Sequence, residues 1–183
     1  MIKVGITGSI SSGKTTVIKM LSKNKYPIFD ADKEVKKIYK KKIFKKKALK
    51  KFGVKSKRDI KILITKKPRD LKKLEKIIHP LVRKELKNFS KRNKKKSFVF
   101  FEIPLLIESK LMSNFNKIIF VNSPKKIRAR RFIKKDKNIA TFEVLDKRQL
   151  RPAKKIKFCD FVINNNSTLK KLKKNVRMIQ KKL

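Results

Sequence analysis

Gly8-Ser9-Ile10-Ser11-Ser12-Gly13-Lys14-Thr15 has the spacing G-x-x-x-x-G-K-[ST], and it directly follows the apolar run Ile2-Lys3-Val4-Gly5-Ile6. A buried strand that turns through such a loop into a helix fixes the start of the fold, because the loop must sit at the carboxyl end of a sheet strand. The spacing has a physical reason. The loop turns backbone N–H groups inward as an anion nest, and the helix N-terminus adds partial positive charge. Gly8 and Gly13 allow the tight backbone path. Lys14 suits the terminal phosphates of a nucleoside triphosphate, and the Thr15 hydroxyl suits a Mg²⁺ ion bridging the outer two. Gly8, Ser11, Ser12, Gly13, Lys14, Thr15 and Thr16 are therefore the candidate nucleotide-binding set. The competing reading is a Gly/Ser turn before an ordinary helix. With only 4 glycines in the chain, two at this spacing ahead of Lys-Thr weigh against it.

Further along, the spacing predicts a helix over about 14–22 and a short buried strand at Tyr26-Pro27-Ile28-Phe29, ending at Asp30-Ala31-Asp32. From Lys33 to about Phe89 the periodicity is helical, with Val35, Ile38 and Tyr39, then Leu71, Leu74, Ile77 and Ile78 on repeating faces. Phe98-Val99-Phe100-Phe101, Ile118-Ile119-Phe120-Val121 and Phe161-Val162-Ile163 read as further buried strands, before a C-terminal helix from about Thr168. Strands alternating with helices imply a parallel sheet of about five strands covered on both faces.

Composition pulls in another direction. Lys+Arg number 57 against 13 Asp+Glu, a formal charge of +44, which ordinarily points to nucleic acid or an anionic membrane. The excess is diffuse, however, and Ile, Asn and Phe are plentiful while Trp is absent. Residues with A/T-rich codons are over-represented together, which points to a biased genome rather than a selected surface. No base-stacking or zinc motif accompanies the charge. Cys159 and His79 are each the only residue of their kind, which excludes a disulfide framework and a cysteine metal cluster. The first strand begins at once, without a signal-peptide pattern. The longest apolar run, Phe98 to Ile107, contains Glu102 and is too short to span a bilayer, so a cytoplasmic chain without a membrane partner is expected.

In an open parallel sheet the ligand lies beyond the carboxyl ends of the strands. The first run delivers the phosphate loop, the second Asp30 and Asp32, and the third Glu102 followed by Pro104-Leu105-Leu106-Ile107-Glu108. Carboxylates there can hold Mg²⁺ through water or accept a proton from an attacking hydroxyl. Asp30 also suits the N-cap of the next helix, and both readings can hold at once.

Taken together, Gly5-Ile6-Thr7-Gly8 through Thr16, Asp30-Ala31-Asp32, Leu74-Glu75 with Ile78-His79-Pro80, Pro104-Leu105-Leu106 with Glu108, and Gln149 with Cys159 to Asn165 make the chain resemble dephospho-CoA kinase nearly end to end. The resemblance implies a P-loop kinase fold with a helical acceptor-binding excursion and a helical lid. It implies one domain over 1–183, with its core at about 1–32 and 97–183, the acceptor-binding part at about 33–96 and the lid at about 125–149. It also implies ATP and Mg²⁺, transfer to the ribose 3′-hydroxyl of dephospho-CoA, no specific nucleic acid, and a monomer or weak homo-oligomer.

Residue by residue, the resemblance makes Lys14, Asp32 and Arg130 catalytic, with Asp32 as general base and Asp30 in support. Asp32, Arg58, His79, Pro104, Leu105 and Glu108 would bind the acceptor, and Thr15 the metal. His79 before Pro80 reads equally as a helix boundary, and any lid arginine reads equally as a solvated charge, with Arg128 and Arg131 near Arg130. The chain departs from the family pattern at Ser9 and Ser11, at Thr65, where phenylalanine is common, and at Lys134, where a second arginine is usual near an acid represented by Asp136. Lysine keeps that charge and loses the planar fork. Another P-loop kinase acting on a nucleoside monophosphate or small hydroxyl compound, and a basic nucleic-acid-binding module, remain open alternatives. A GTPase would need N-K-x-D, and Asn116-Lys117-Ile118-Ile119 lacks the aspartate.

Overall fold

The computed structural model describes residues 1–53, 68–135 and 138–183, with the side chains of 68–72 outside that description. Arg58, Thr65, Asp136 and the side chain of Leu71 therefore lie outside the described residues. The chain divides into two units, Met1–Phe29 with Asn93–Leu183, and Asp30–Arg92.

The first unit is built on a five-stranded parallel sheet of order β2-β3-β1-β4-β5. Its strands are β1 (Ile2–Thr7), β2 (Ile28–Asp30), β3 (Phe98–Glu102), β4 (Lys117–Asn122) and β5 (Phe161–Asn164). β1 pairs in parallel with β3, Val4 opposite Phe100, and with β4, Ile6 opposite Ile119. Side chains alternate along each strand, so both faces of a nearly all-apolar run must be covered. On one face Val4, Ile6, Phe100, Ile119 and Val121 pack with Val17, Ile18 and Leu21 of α1 (Lys14–Ser22). Leu172 and Val176 of the C-terminal helix Leu169–Gln180 complete that cluster. On the other face Val99, Phe101, Ile118 and Phe120 are buried. Phe101 there meets Phe115 edge-on at 5.3 Å. The order places β1 between β3 and β4, the point where successive connections leave on opposite sides and ligands bind in such sheets.

The second unit is helical, with α2 (Ala31–Ile38), α3 (Lys42–Phe52) and α4 (Pro68–Arg92). Leu74, Ile78, Val82 and Leu86 recur every fourth residue of α4 and are buried with Ile38 and Phe44. Lys41 Nζ lies 2.6 Å from Glu85 Oε1. That hydrogen bond holds the Glu85 carboxyl below its ordinary value.

Two details correct the sequence reading. The second strand is Ile28–Asp30, not Tyr26–Phe29, because Pro27 has no N–H for a ladder; its carbonyl accepts from Phe100 N at 3.0 Å. His79-Pro80 is no helix boundary, since α4 runs through it. The apolar stripe continues on both sides of Pro80 and carries the helix past one missing N–H.

The chain continues after β4 in the first unit as further helices. α5 (Lys125–Ile133) and α6 (Ile139–Lys147) pack through Phe132 and Phe142, whose rings lie 5.6 Å apart. Asn138 caps α6 by accepting from Ala140 N at 2.7 Å. α7 (Pro152–Ile156) precedes β5, and α8 (Leu169–Gln180) is capped by Thr168, whose side chain accepts from Lys171 N.

Candidate active site

Thr7 ends β1 and hands the chain to a loop that only glycine could complete at two positions. Gly8 has φ 153°, and a Cβ there would stand 2.5 Å from the Val121 carbonyl oxygen. Gly13 has φ 94°, and a Cβ there would overlap Asn165 Nδ2. Ser11 adopts the left-handed region at φ 56°, a cost of about 1 kcal/mol for a residue with a Cβ. Ser9 is not among the positive-φ residues, so it carries no such strain.

The loop's cation and hydroxyl are already oriented. Lys14, 7% exposed, donates from Nζ to the carbonyls of Gly8 at 3.1 Å and Ser9 at 3.0 Å. Thr15 Oγ1 donates to Glu102 Oε1 at 2.9 Å, bringing the end of β3 to the start of α1. These hard oxygen donors fit Mg²⁺, which takes few protein ligands and completes its shell with water and phosphate.

The ends of β4 and β5 brace the loop from the other side. Asn165, just past β5, donates from Nδ2 to the Ser12 carbonyl at 2.7 Å. Arg131 of α5 donates from Nη1 to the Ser12 carbonyl at 3.3 Å and from Nη2 to Asn165 Oδ1 at 3.1 Å. Burial pulls the Arg131 guanidinium below its ordinary value. Arg128, buried, donates from Nε to the Ser123 carbonyl at 3.0 Å, and its Nη1 pairs with Asp146 Oδ1 at 2.5 Å. Gln149 Oε1 accepts from Ile10 N at 2.8 Å. Segment 125–149 is thereby tied to the phosphate loop at three points.

The structure brings together Gly8, Ser11, Ser12, Gly13, Lys14, Thr15 and Thr16 on the loop, with Glu102 beside them. Pro104 accepts through its carbonyl from Thr7 Oγ1 at 3.1 Å, Leu105 is half-buried, and Glu108 pairs with Lys155 at 2.7 Å. Arg130 is exposed on α5, whereas the next residue, Arg131, reaches the loop. In the second unit Asp32 is exposed in the first turn of α2, and His79 is half-buried within α4. Asp30 caps α2 by accepting from Lys33 N at 3.0 Å, so the capping reading holds.

Asn165, Gln149 and Lys155 carried no assigned role in the sequence reading. A usable signal existed for Asn165, which stands just beyond an apolar strand, where ligand-edge residues sit.

A family model described as dephospho-CoA kinase matches residues 2–171. The chain belongs to the dephospho-CoA kinase family. A dephospho-CoA kinase from Fusobacterium nucleatum is 36% identical over 182 residues, covering 94% of each chain. A crystal structure of a Thermus thermophilus protein superposes with TM-score 0.83 at 28% identity, covering 100% of this chain and 97% of that one. Dephospho-CoA kinase from Campylobacter jejuni, at TM-score 0.71 and 23% identity over 98% of this chain and 96% of that one, shares the fold. As a dephospho-CoA kinase family member the chain is a phosphotransferase with an alcohol acceptor, and ATP is the nucleotide such a kinase uses. Among the described residues no helix is long and apolar enough to cross a membrane.

Proposed function

We propose that the protein transfers the γ-phosphoryl group of ATP to the ribose 3′-hydroxyl of dephospho-CoA, giving coenzyme A and ADP. The observation that carries this reading is the Thr15–Glu102 hydrogen bond beside a phosphate loop whose Lys14 is already ordered. Gly8 to Thr16 hold the triphosphate, with Lys14 on its outer phosphates. Thr15 Oγ1, with Glu102 through water, would hold Mg²⁺, which would supply charge neutralisation at the phosphates during transfer. Asp32 accepts the 3′-hydroxyl proton as the new O–P bond forms and the bond to the β-phosphate oxygen breaks. The family resemblance assigns acceptor binding to His79, Pro104, Leu105 and Glu108, and to Arg58, which lies outside the described residues.

Residues 1–183 act as one kinase domain, with its core at about 1–32 and 97–183, an acceptor-binding part at about 33–96 and a lid at about 125–149 that excludes water. The sequence assigns the lid cation to Arg130. The hydrogen bonds of Arg131 to the Ser12 carbonyl and Asn165 favour Arg131 as a second reading. The enzyme works in the cytoplasm as a monomer or weak homo-oligomer, without a specific nucleic-acid partner. ADP release measured with dephospho-CoA, nucleoside monophosphates or RNA as the addition tests the reading. Strong stimulation by dephospho-CoA alone supports it, and equal or greater stimulation by a nucleoside monophosphate contradicts it.

A further inference from the structure

Lys155 is fully buried, whereas among the described residues nearly all other lysines, Lys14 of the phosphate loop apart, reach the surface. It lies on α7, after the segment 125–149, and its ammonium makes two contacts on one stretch of chain. Nζ donates to the Pro104 carbonyl at 3.1 Å and pairs with Glu108 Oε1 at 2.7 Å. Those partners bracket the turn that leaves β3, so a single cation holds both of its ends.

Each end is also joined to the phosphate loop. The Pro104 carbonyl accepts from Thr7 Oγ1 at 3.1 Å, and Thr7 directly precedes Gly8. Glu108 Oε1 accepts from Leu150 N at 3.0 Å, and the neighbouring Gln149 accepts from Ile10 N at 2.8 Å. Glu108 Oε2 is buried with no hydrogen-bond partner among the described residues. A buried ion pair left partly unsatisfied adds little stability over an apolar pair of the same volume. What it supplies is position.

We propose that Lys155 is a positioning residue for the acceptor, fixing the Pro104–Glu108 turn at a set distance from the phosphate loop. The inference rests on the reading of that turn as part of the acceptor side. The phosphate loop has supports of its own, since Lys14 holds the carbonyls of Gly8 and Ser9 and Asn165 holds Ser12. Removing Lys155 therefore loosens the acceptor turn and leaves the ATP side in place.

The test measures KM for dephospho-CoA and for ATP, with thermal unfolding, in the wild type, Lys155→Met and Lys155→Arg, each assayed well below its own melting temperature. Lys155→Arg keeps a cation for the Pro104 carbonyl and Glu108. Lys155→Met is expected to raise KM for dephospho-CoA by about tenfold or more while KM for ATP stays within about threefold, and Lys155→Arg to recover most of that rise. An unchanged KM for dephospho-CoA in folded Lys155→Met would overturn the proposal, as would an equal rise in both KM values or a folded Lys155→Arg that recovers nothing. A wild type that releases no ADP with dephospho-CoA would sink the acceptor reading and this inference with it, whereas an active wild type without the split sinks the inference alone.

Discussion

The hydroxyl of Thr15 at the start of α1 donates a 2.9 Å hydrogen bond to Oε1 of Glu102 at the end of β3. Two strand-end segments more than eighty residues apart in sequence thus meet beside the phosphate loop. Glu102 is 8% exposed, so its carboxylate is held where solvent does not compete freely for it. Replacement by Gln keeps the size and removes the charge. Glu102→Gln is expected to lower turnover by about 10- to 100-fold and to raise the Mg²⁺ concentration needed for half-maximal rate, with circular dichroism unchanged. A titration of rate against Mg²⁺ checks this, and an unaltered Mg²⁺ dependence would remove Glu102 from the metal's surroundings.

Arg130 and Arg131 are adjacent, yet only Arg131 is hydrogen-bonded to Ser12 and Asn165. If the lid cation acts through the loop, Arg131→Ala lowers kcat by about 100-fold or more and Arg130→Ala by less. The reverse order in steady-state kinetics would return the role to Arg130. Arg128→Ala is expected to behave differently. It leaves Asp146 without its guanidinium and costs about 3 kcal/mol of stability in denaturant melts.

The fit of Gly13 against Asn165 gives a second test of the loop. Gly13→Ala introduces a Cβ that overlaps Asn165 Nδ2 and does so at φ 94°, where L residues are strained. Asn165→Ala removes the overlap but not the strain. In a double-mutant cycle on ATP affinity, Asn165→Ala should recover part of the loss caused by Gly13→Ala and not all of it. Full recovery would show that the backbone angle is unimportant.

The sheet was readable because four of its strands are short apolar runs bounded by loops, and both faces are buried. Gly8 to Thr15 were readable because phosphate chemistry restricts which residues fit each step of that turn. Lys155 was not. Among 57 Lys+Arg nothing in the local pattern marks one lysine as buried, because burial depends on Pro104 and Glu108 arriving from another part of the chain. Arg131 was obscured by its neighbours for a similar reason. A helix face is set by the partners it meets, and Arg128, Arg130 and Arg131 are equivalent until the loop is in place.

Cys159 offers a pH test that is independent of catalysis. Burial, with Asp160 nearby, pushes its thiol up from 9.0 to about 11. Between those values the unfolded chain has lost the proton and the folded chain retains it, so stability falls as pH rises from about 9 to about 11. Melting temperatures of wild type and Cys159→Ala should converge across that interval. A difference that is flat from pH 8 to about 11 would contradict the assignment.

The central claim is that the phosphate held by the Gly8–Thr16 loop passes to one hydroxyl of one acceptor. Purified protein, Mg²⁺·ATP and dephospho-CoA should yield a single product with the new phosphate on the ribose 3′-oxygen, seen by phosphorus NMR, with one ADP formed for each acceptor consumed. ADP formed at the same rate without dephospho-CoA, or phosphate found on any other oxygen, would contradict the account.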